Sequence, residues 1–149
     1  MWLILCIDDN THGLTARRVL LEQLGHRVAV ARNGVEGLRI FRQQKVDLVI
    51  VDYVMPQMNG GEVVREIKRI APKVPVILLS GYVDCLSLEE KVREADCVLC
   101  KGRREISELV NAVNRLLRKS RKKPAASVPS KVKAVAAKQK KPARGKPRR

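Results

Sequence analysis

The sequence predicts an α/β fold: a doubly wound, parallel five-stranded sheet of (βα)5 type, followed by a basic C-terminal segment. Five short apolar runs alternate with five stretches of helical periodicity, a rhythm that leaves few ways to bury the strands other than between helices on both faces. The third run, Leu48-Val49-Ile50-Val51, is unbroken and mostly β-branched, which suits a strand covered on both sides. Charge is also unevenly spread. Lys119 to Arg149 carries 13 Lys and Arg and no acid, which leaves 18 basic against 15 acidic residues in Met1 to Arg118. The chain of 149 residues and net charge +16 therefore divides into a near-neutral domain, 1–118, and a cationic tail, 119–149.

Leu3 to Ile7 is the first strand, closed by Asp8-Asp9-Asn10. Asn10 or Thr11 caps a helix from His12 to Leu24, with Leu14, Val19, Leu20, Leu21 and Leu24 at mostly helical spacing and Gly25 as its stop. Val28 to Val30 forms a second strand. Asn33-Gly34 opens a second helix with Val35, Leu38 and Phe41 on one face. After the central strand, Asn59 caps a third helix whose Val63, Val64, Ile67 and Ile70 make a single apolar stripe before Pro72. Pro75 to Leu79 is the fourth strand, ended by Ser80-Gly81. A shorter, less periodic helix between Asp84 and Arg93 carries Leu86, Leu88 and Val92. Cys97 to Cys100 is the fifth strand. Glu105 to Arg118 is the fifth helix, with Ile106, Leu109, Val110, Val113, Leu116 and Leu117 inward.

The 118 residues of the domain suffice to bury roughly two-thirds of the unfolded chain's surface in one core. Beyond Ser120 the apolar content falls to scattered Ala and Val among Lys, Arg and Pro, too little to offset the entropy of ordering, so the tail is expected to be disordered. Met1-Trp2 leads straight into a strand, with no basic leader and no long apolar segment, which points to a cytoplasmic protein. Cys97-Val98-Leu99-Cys100 matches C-x-x-C only formally. Residues three apart on a strand point to opposite faces, and no second pair or His cluster completes a zinc site. Cys6, Cys85, Cys97 and Cys100 are expected to be buried, reduced thiols.

Asp8 and Asp9 follow the first strand, Asp52 the third, Ser80 the fourth and Lys101 the fifth, so all five project from the carboxyl edge where open α/β sheets hold ligands. Taken singly, these are turn acids, a helix-capping serine and a strand-end lysine. Together they make a site. Crowded carboxylates repel unless a cation joins them, and a hard divalent ion taking one or two carboxylates, waters and phosphoryl oxygens fits best, namely Mg²⁺. With that charge neutralised and Lys101 nearby, Asp52 is placed to attack phosphorus and Ser80 to donate to a phosphoryl oxygen.

Leu5-Cys6-Ile7-Asp8-Asp9, Ala31-Arg32-Asn33-Gly34-Val35-Glu36, Asp52-Tyr53-Val54-Met55-Pro56-Gln57-Met58-Asn59-Gly60, Ser80-Gly81 and Ala95-Asp96 with Lys101 resemble the receiver domains of response regulators in two-component phosphorelays. The match runs from Leu3 to about Leu117. The resemblance implies the CheY-like strand order 2-1-3-4-5. It implies that a histidine kinase or phosphotransfer protein phosphorylates Asp52. It further implies that Asp9, Asp52 and the backbone carbonyl of Val54 bind Mg²⁺ with Asp8 assisting through water, and that Ser80 and Lys101 hold the phosphoryl group. Two positions depart from the family pattern. Gly102 follows Lys101 where proline is usual, and Val98 stands where many members carry Tyr or Phe.

The tail's positive charges are expected to bind polyanions such as DNA by counterion release, with little sequence preference and, lacking aromatics, without base stacking. Arg144-Gly145-Lys146-Pro147-Arg148 is similar to an AT-hook core with one lysine substituted. The expected function is a stand-alone phosphoacceptor receiver, not a turnover enzyme. The second reading is a nucleic-acid-associated protein on a receiver scaffold without regulated phosphorylation, which the intact Asp8, Asp9, Asp52, Ser80 and Lys101 argue against and Val98 and Gly102 mildly favour. A phosphohydrolase of the haloacid-dehalogenase type needs Asp-x-Asp after the first strand, and Asp8-Asp9-Asn10 does not supply it.

Overall fold

The structure is a computed structural model that describes residues 1–122, leaving aside the side chains of Tyr82, Val83, Asp84, Leu86 and Lys122. The elements run β1 (Leu3–Ile7), α1 (Thr11–Gln23), β2 (Arg27–Ala31), α2 (Gly34–Gln43), β3 (Leu48–Asp52), α3 (Gly60–Ile70), β4 (Val76–Ser80), α4 (Tyr82–Lys91), β5 (Cys97–Cys100) and α5 (Glu105–Lys122). The five strands form one sheet in the order β2-β1-β3-β4-β5, every neighbouring pair parallel, as expected. Residues Met1–Leu117 make one compact unit. The AT-hook-like run and the rest of the tail after Lys122 lie outside the described residues.

Each apolar strand sorts its side chains by parity, because successive Cβ atoms point to opposite faces. Leu3, Leu5 and Ile7 of β1, Val49 and Val51 of β3, and Val76 and Leu78 of β4 pack with Leu38, Phe41, Val63, Val64, Ile67 and Leu88 from α2, α3 and α4. Ile4, Cys6, Leu48, Ile50, Ile77, Leu79 and Leu99 pack instead with Leu14 and Leu21 of α1 and Leu109, Val113, Leu116 and Leu117 of α5. Fully burying one such side chain contributes about 1.5–3 kcal/mol relative to exposure, so the sheet is held from both sides.

Helix starts follow local chemistry. Asn10, rather than Thr11, caps α1, its side chain accepting from Gly13 N at 3.0 Å. Asn59 and Glu62 form a reciprocal capping box at α3. α5 continues to Lys122, past the expected Arg118. Lys119, Arg121 and Lys122 are good helix formers, favoured at a helix C-terminus by its dipole, and Pro124 disfavours helix at the residue before it.

Several apolar residues expected to face inward do not. Val35 and Ile106 are 66% and 64% exposed, and Val19, Leu24 and Ile70 are also exposed. Val35 and Ile106 sit in the first turns of α2 and α5, and Leu24 and Ile70 at the last residues of their helices or just beyond. Val19 lies off the buried stripe Leu14, Arg17, Leu21, which holds one charged residue that the periodicity did not flag.

The expectation of four buried, reduced thiols fails for Cys85 and Cys100, which are bonded, and Cys97 and Cys100 are only partly buried. Cys85 of α4 and Cys100 of β5 form a disulfide, with Cα atoms 5.6 Å apart, while Cys6 and Cys97 are free. Parity explains the pairing. Cys97 and Leu99 face the α1/α5 layer, so Val98 and Cys100 turn to the α4 side, where Cys85 is buried. Burial pushes the Cys6 thiol up to about 12, keeping it protonated and unreactive.

Candidate functional site at the carboxyl edge

Register brings the chemically active residues to one edge. Ile7 pairs with Val51, Asp52 with Leu79 and Ser80 with Cys100, so Asp8, Asp52, Ser80 and Lys101 all occupy the last rung or the step beyond it. Asp8 and Asp52 are buried and Asp9 is exposed, and one carboxylate oxygen from each lies within 4.8 Å of the other two. Three hard oxygen donors at this spacing, one open to solvent, fit a Mg²⁺ that keeps several waters.

Lys101 pairs with one member of this cluster, its Nζ 2.7 Å from Asp52 Oδ1. Its backbone N donates to Ser80 O at 2.8 Å, so an extension of the β4–β5 ladder positions the lysine and Gly102 does not disturb it. Ser80 is fully buried, and its hydroxyl donates to the Gly81 carbonyl at 3.2 Å. Val54, two residues past Asp52, has an exposed side chain. Val98 packs against the α2/α3/α4 core, filling with an aliphatic group the place many receivers give to an aromatic one. The side chain of Tyr82 lies outside the described residues.

The loop after β3 is held by close backbone approach. Gly60 N donates to Tyr53 O at 2.8 Å, and a Cβ on Gly60 would lie 2.5 Å from Asp52 O and 2.8 Å from Tyr53 Cα. Only glycine allows α3 to begin so near the end of β3. Gln57, in the same loop, takes the left-handed conformation at φ 71°, which is uncommon away from glycine.

Burial raises the pKa of Asp52 above the usual carboxylate range. The hydrogen bond and charge of Lys101 oppose that rise, the charge of Asp8 adds to it and Arg17 opposes it.

Arg17 and Glu105 were not anticipated from sequence. Arg17 is buried on α1, its Nη2 paired with Asp8 Oδ2 and its Nη1 3.2 Å from Glu105 Oε2 of α5. The sequence did carry a signal. Arg17 falls three residues after Leu14 and four before Leu21, on the buried stripe, where a charge persists only if paired. A cavity of about 300 Å³ opens beside it, lined by Asp8, Asn10, Gly13, Lys101, Glu105 and Ile106 among others.

Five parallel strands in this order, with acids, a hydroxyl and a lysine on the carboxyl edge, define a CheY-like α/β domain. Residues 4–114 match the response regulator receiver domain model, and the chain belongs to that family. Receiver domains are signalling modules of two-component systems. The chain is similar to the transcriptional regulatory protein ZraR of Klebsiella oxytoca, 39% identical over 79 residues that cover 53% of this chain and 18% of ZraR. Among solved structures it resembles a response regulator receiver domain protein from Clostridium thermocellum, with a TM-score of 0.73 and 33% identity, covering 81% of this chain and 98% of that one. It also resembles TrrA of Thermotoga maritima, solved in complex with Mg²⁺ and BeF, with a TM-score of 0.71 and 31% identity, covering 78% of this chain and 99% of TrrA. The matched region is under two-fifths of the length of the first curated relatives.

Proposed function

We propose that Asp52 is the phosphoacceptor of this receiver and takes its phosphoryl group from a histidine kinase or phosphotransfer protein. The observation that carries the reading is Asp52 itself, a buried strand-end carboxylate 2.7 Å from Lys101 Nζ and clustered with Asp8 and Asp9. An Asp52 oxygen attacks the phosphorus of a phosphohistidine, the P–O bond forms as the P–N bond breaks, and the departing imidazole takes up a proton. Lys101 then balances charge on the phosphoryl oxygens. The Ser80 hydroxyl turns away from the Gly81 carbonyl to donate to one of them.

Asp8, Asp9, Asp52 and the Val54 backbone carbonyl are the groups that would hold Mg²⁺, which when bound neutralises charge on the transferred group. The Mg²⁺–BeF complex of TrrA supports that choice of ion. The protein ends each transfer modified, as a signal carrier rather than a turnover enzyme. No helix among the described residues is long and apolar enough to cross a membrane; membership in a family of two-component signalling modules supports placing the protein in the cytoplasm. The test is incubation with acetyl phosphate and Mg²⁺. Wild type should acquire base-labile phosphate and Asp52→Asn none; undiminished labelling of the variant would remove Asp52 from the role.

The tail, residues 119–149, is the second part of the proposal, a polyanion-binding segment supported by its 13 cations and absence of acids. Deleting 120–149 should leave phosphorylation intact and remove most duplex DNA affinity. The log–log salt dependence of binding should become shallower by about 0.9 for each DNA phosphate that the truncated protein no longer neutralises. Equal DNA binding by the truncated protein would relocate the site to the folded domain.

A further inference from the structure

We infer that Arg17 is a built-in counter-cation that competes with the divalent ion for Asp8 and so sets the concentration at which the receiver loads its metal. This rests on reading Asp8, Asp9 and Asp52 as the Mg²⁺ site. Both oxygens of Asp8 are already engaged. Oδ1 accepts from Asn10 N at 2.9 Å, and Oδ2 accepts from the Arg17 guanidinium. An ion approaching Asp8 therefore meets a fixed positive charge on the very carboxylate it needs.

The pair is built rather than incidental. The Arg17 side chain is only 8% exposed, and a guanidinium is retained at that depth by charged partners, which Asp8 and Glu105 supply from two different elements. Gly13 makes room for it. A Cβ there would lie 3.1 Å from Arg17 Nη2 and 3.4 Å from Asp8 Oδ2, so any larger residue would crowd the pair. Sheet parity aims Asp8 at the α1/α5 layer, because Ile4 and Cys6 of β1 face that layer and Asp8 continues their alternation.

Glu105 gives the competition a second position. With Nη1 3.2 Å from Glu105 Oε2, the guanidinium can give up Asp8 and still keep a carboxylate partner when a metal arrives. Removing Arg17 should then tighten metal binding, and removing Glu105 should weaken it, because the displaced guanidinium would have nowhere to go. A purely structural role for the two residues would weaken binding in both variants. A divalent ion and a guanidinium a few ångströms apart repel strongly enough at protein-surface dielectric to cost tenfold or more in affinity.

The experiment is isothermal titration of the full chain with MgCl₂, comparing wild type, Arg17→Met and Glu105→Gln, each checked for native circular dichroism. Arg17→Met is expected to bind Mg²⁺ at least tenfold more tightly and Glu105→Gln severalfold more weakly. Equal or weaker binding by a folded Arg17→Met overturns the inference while leaving the Mg²⁺ site in place. If Arg17→Met does not fold, Glu105→Gln decides, and unchanged or tighter binding there overturns it. No Mg²⁺ binding by wild type or either variant at millimolar concentrations removes the metal site and with it this inference.

Discussion

The two flanks of the sheet's carboxyl edge are closed by different chemistry. On the α1/α5 side, buried Asp8 and Arg17 and partly exposed Glu105 form a chain of charges, whereas on the α4/β5 side Cys85 and Cys100 form a covalent bond. Strand parity assigns the flanks, since Asp8 continues the α1/α5-facing positions of β1 and Cys100 takes the α4-facing position of β5. Ionic closure can be remade by any cation that satisfies Asp8. A disulfide is remade only by oxidation. With the acidic cluster read as a Mg²⁺ site, the first flank is expected to answer to metal concentration and the second to the thiol redox state.

The largest expected effect breaks the ionic flank. Arg17→Met strands two carboxylates and should cost about 3 kcal/mol or more in the absence of divalent ions, measured by urea unfolding. Adding Mg²⁺ should recover much of that loss in the Arg17 variant. A deficit that ignores Mg²⁺ would make the two flanks equivalent and dissolve the contrast between them.

Next in size is the covalent flank. The bond closes a loop between residues 15 apart, so Cys85→Ser or reduction of wild type with dithiothreitol should cost about 3 kcal/mol and lower Tm by roughly 10 °C. Mg²⁺ should not restore this loss selectively, and dithiothreitol should leave the Cys85 variant unchanged. A reductant that leaves wild-type unfolding unaltered would show that the bond does not hold this side.

The smallest effect lies between the flanks, at Asp52. Its folded-state pKa is raised by burial, so the folded form binds its proton more tightly than the unfolded chain and stability falls as pH rises through that pKa. Asp52→Asn removes the charge. The variant should be more stable than wild type near neutral pH, and the gain should vanish in acid once Asp52 itself is protonated. Equal stability of the two proteins near neutral pH would mean that Lys101 fully offsets the cost of burying Asp52.

Much of this edge was legible in the sequence because the residues that build it obey local rules. Leu48 to Val51 reads as a buried strand with no knowledge of its neighbours, and an acid directly after it must emerge at the strand's end. The same logic located Asp8, Ser80 and Lys101. What was not legible depends on contacts between elements. Arg17 reads as one of two adjacent basic helix residues until Leu14 and Leu21 prove to be buried on either side of it, and Glu105 until α5 lies against α1. Cys85 and Cys100 are 15 residues apart and meet only because one parity of β5 faces α4. Val35 and Ile106 failed in the opposite sense. Their spacing fits an apolar face, but the buried stripes run through Gly34, Gly37, Leu38 and Phe41 of α2 and Leu109, Ala112, Val113, Leu116 and Leu117 of α5 and pass them by.

The most direct measurement of the central proposal is chemical trapping of the phosphorylated residue. After reaction with acetyl phosphate and Mg²⁺, borohydride reduces an aspartyl phosphate to homoserine, and peptide mass spectrometry reads its position. Homoserine at position 52 alone is the expected result, and its loss in Asp52→Asn completes it. Homoserine at Asp8 or Asp9, or phosphate carried with no homoserine at 52, would contradict the assignment of this edge as a phosphoacceptor centred on Asp52.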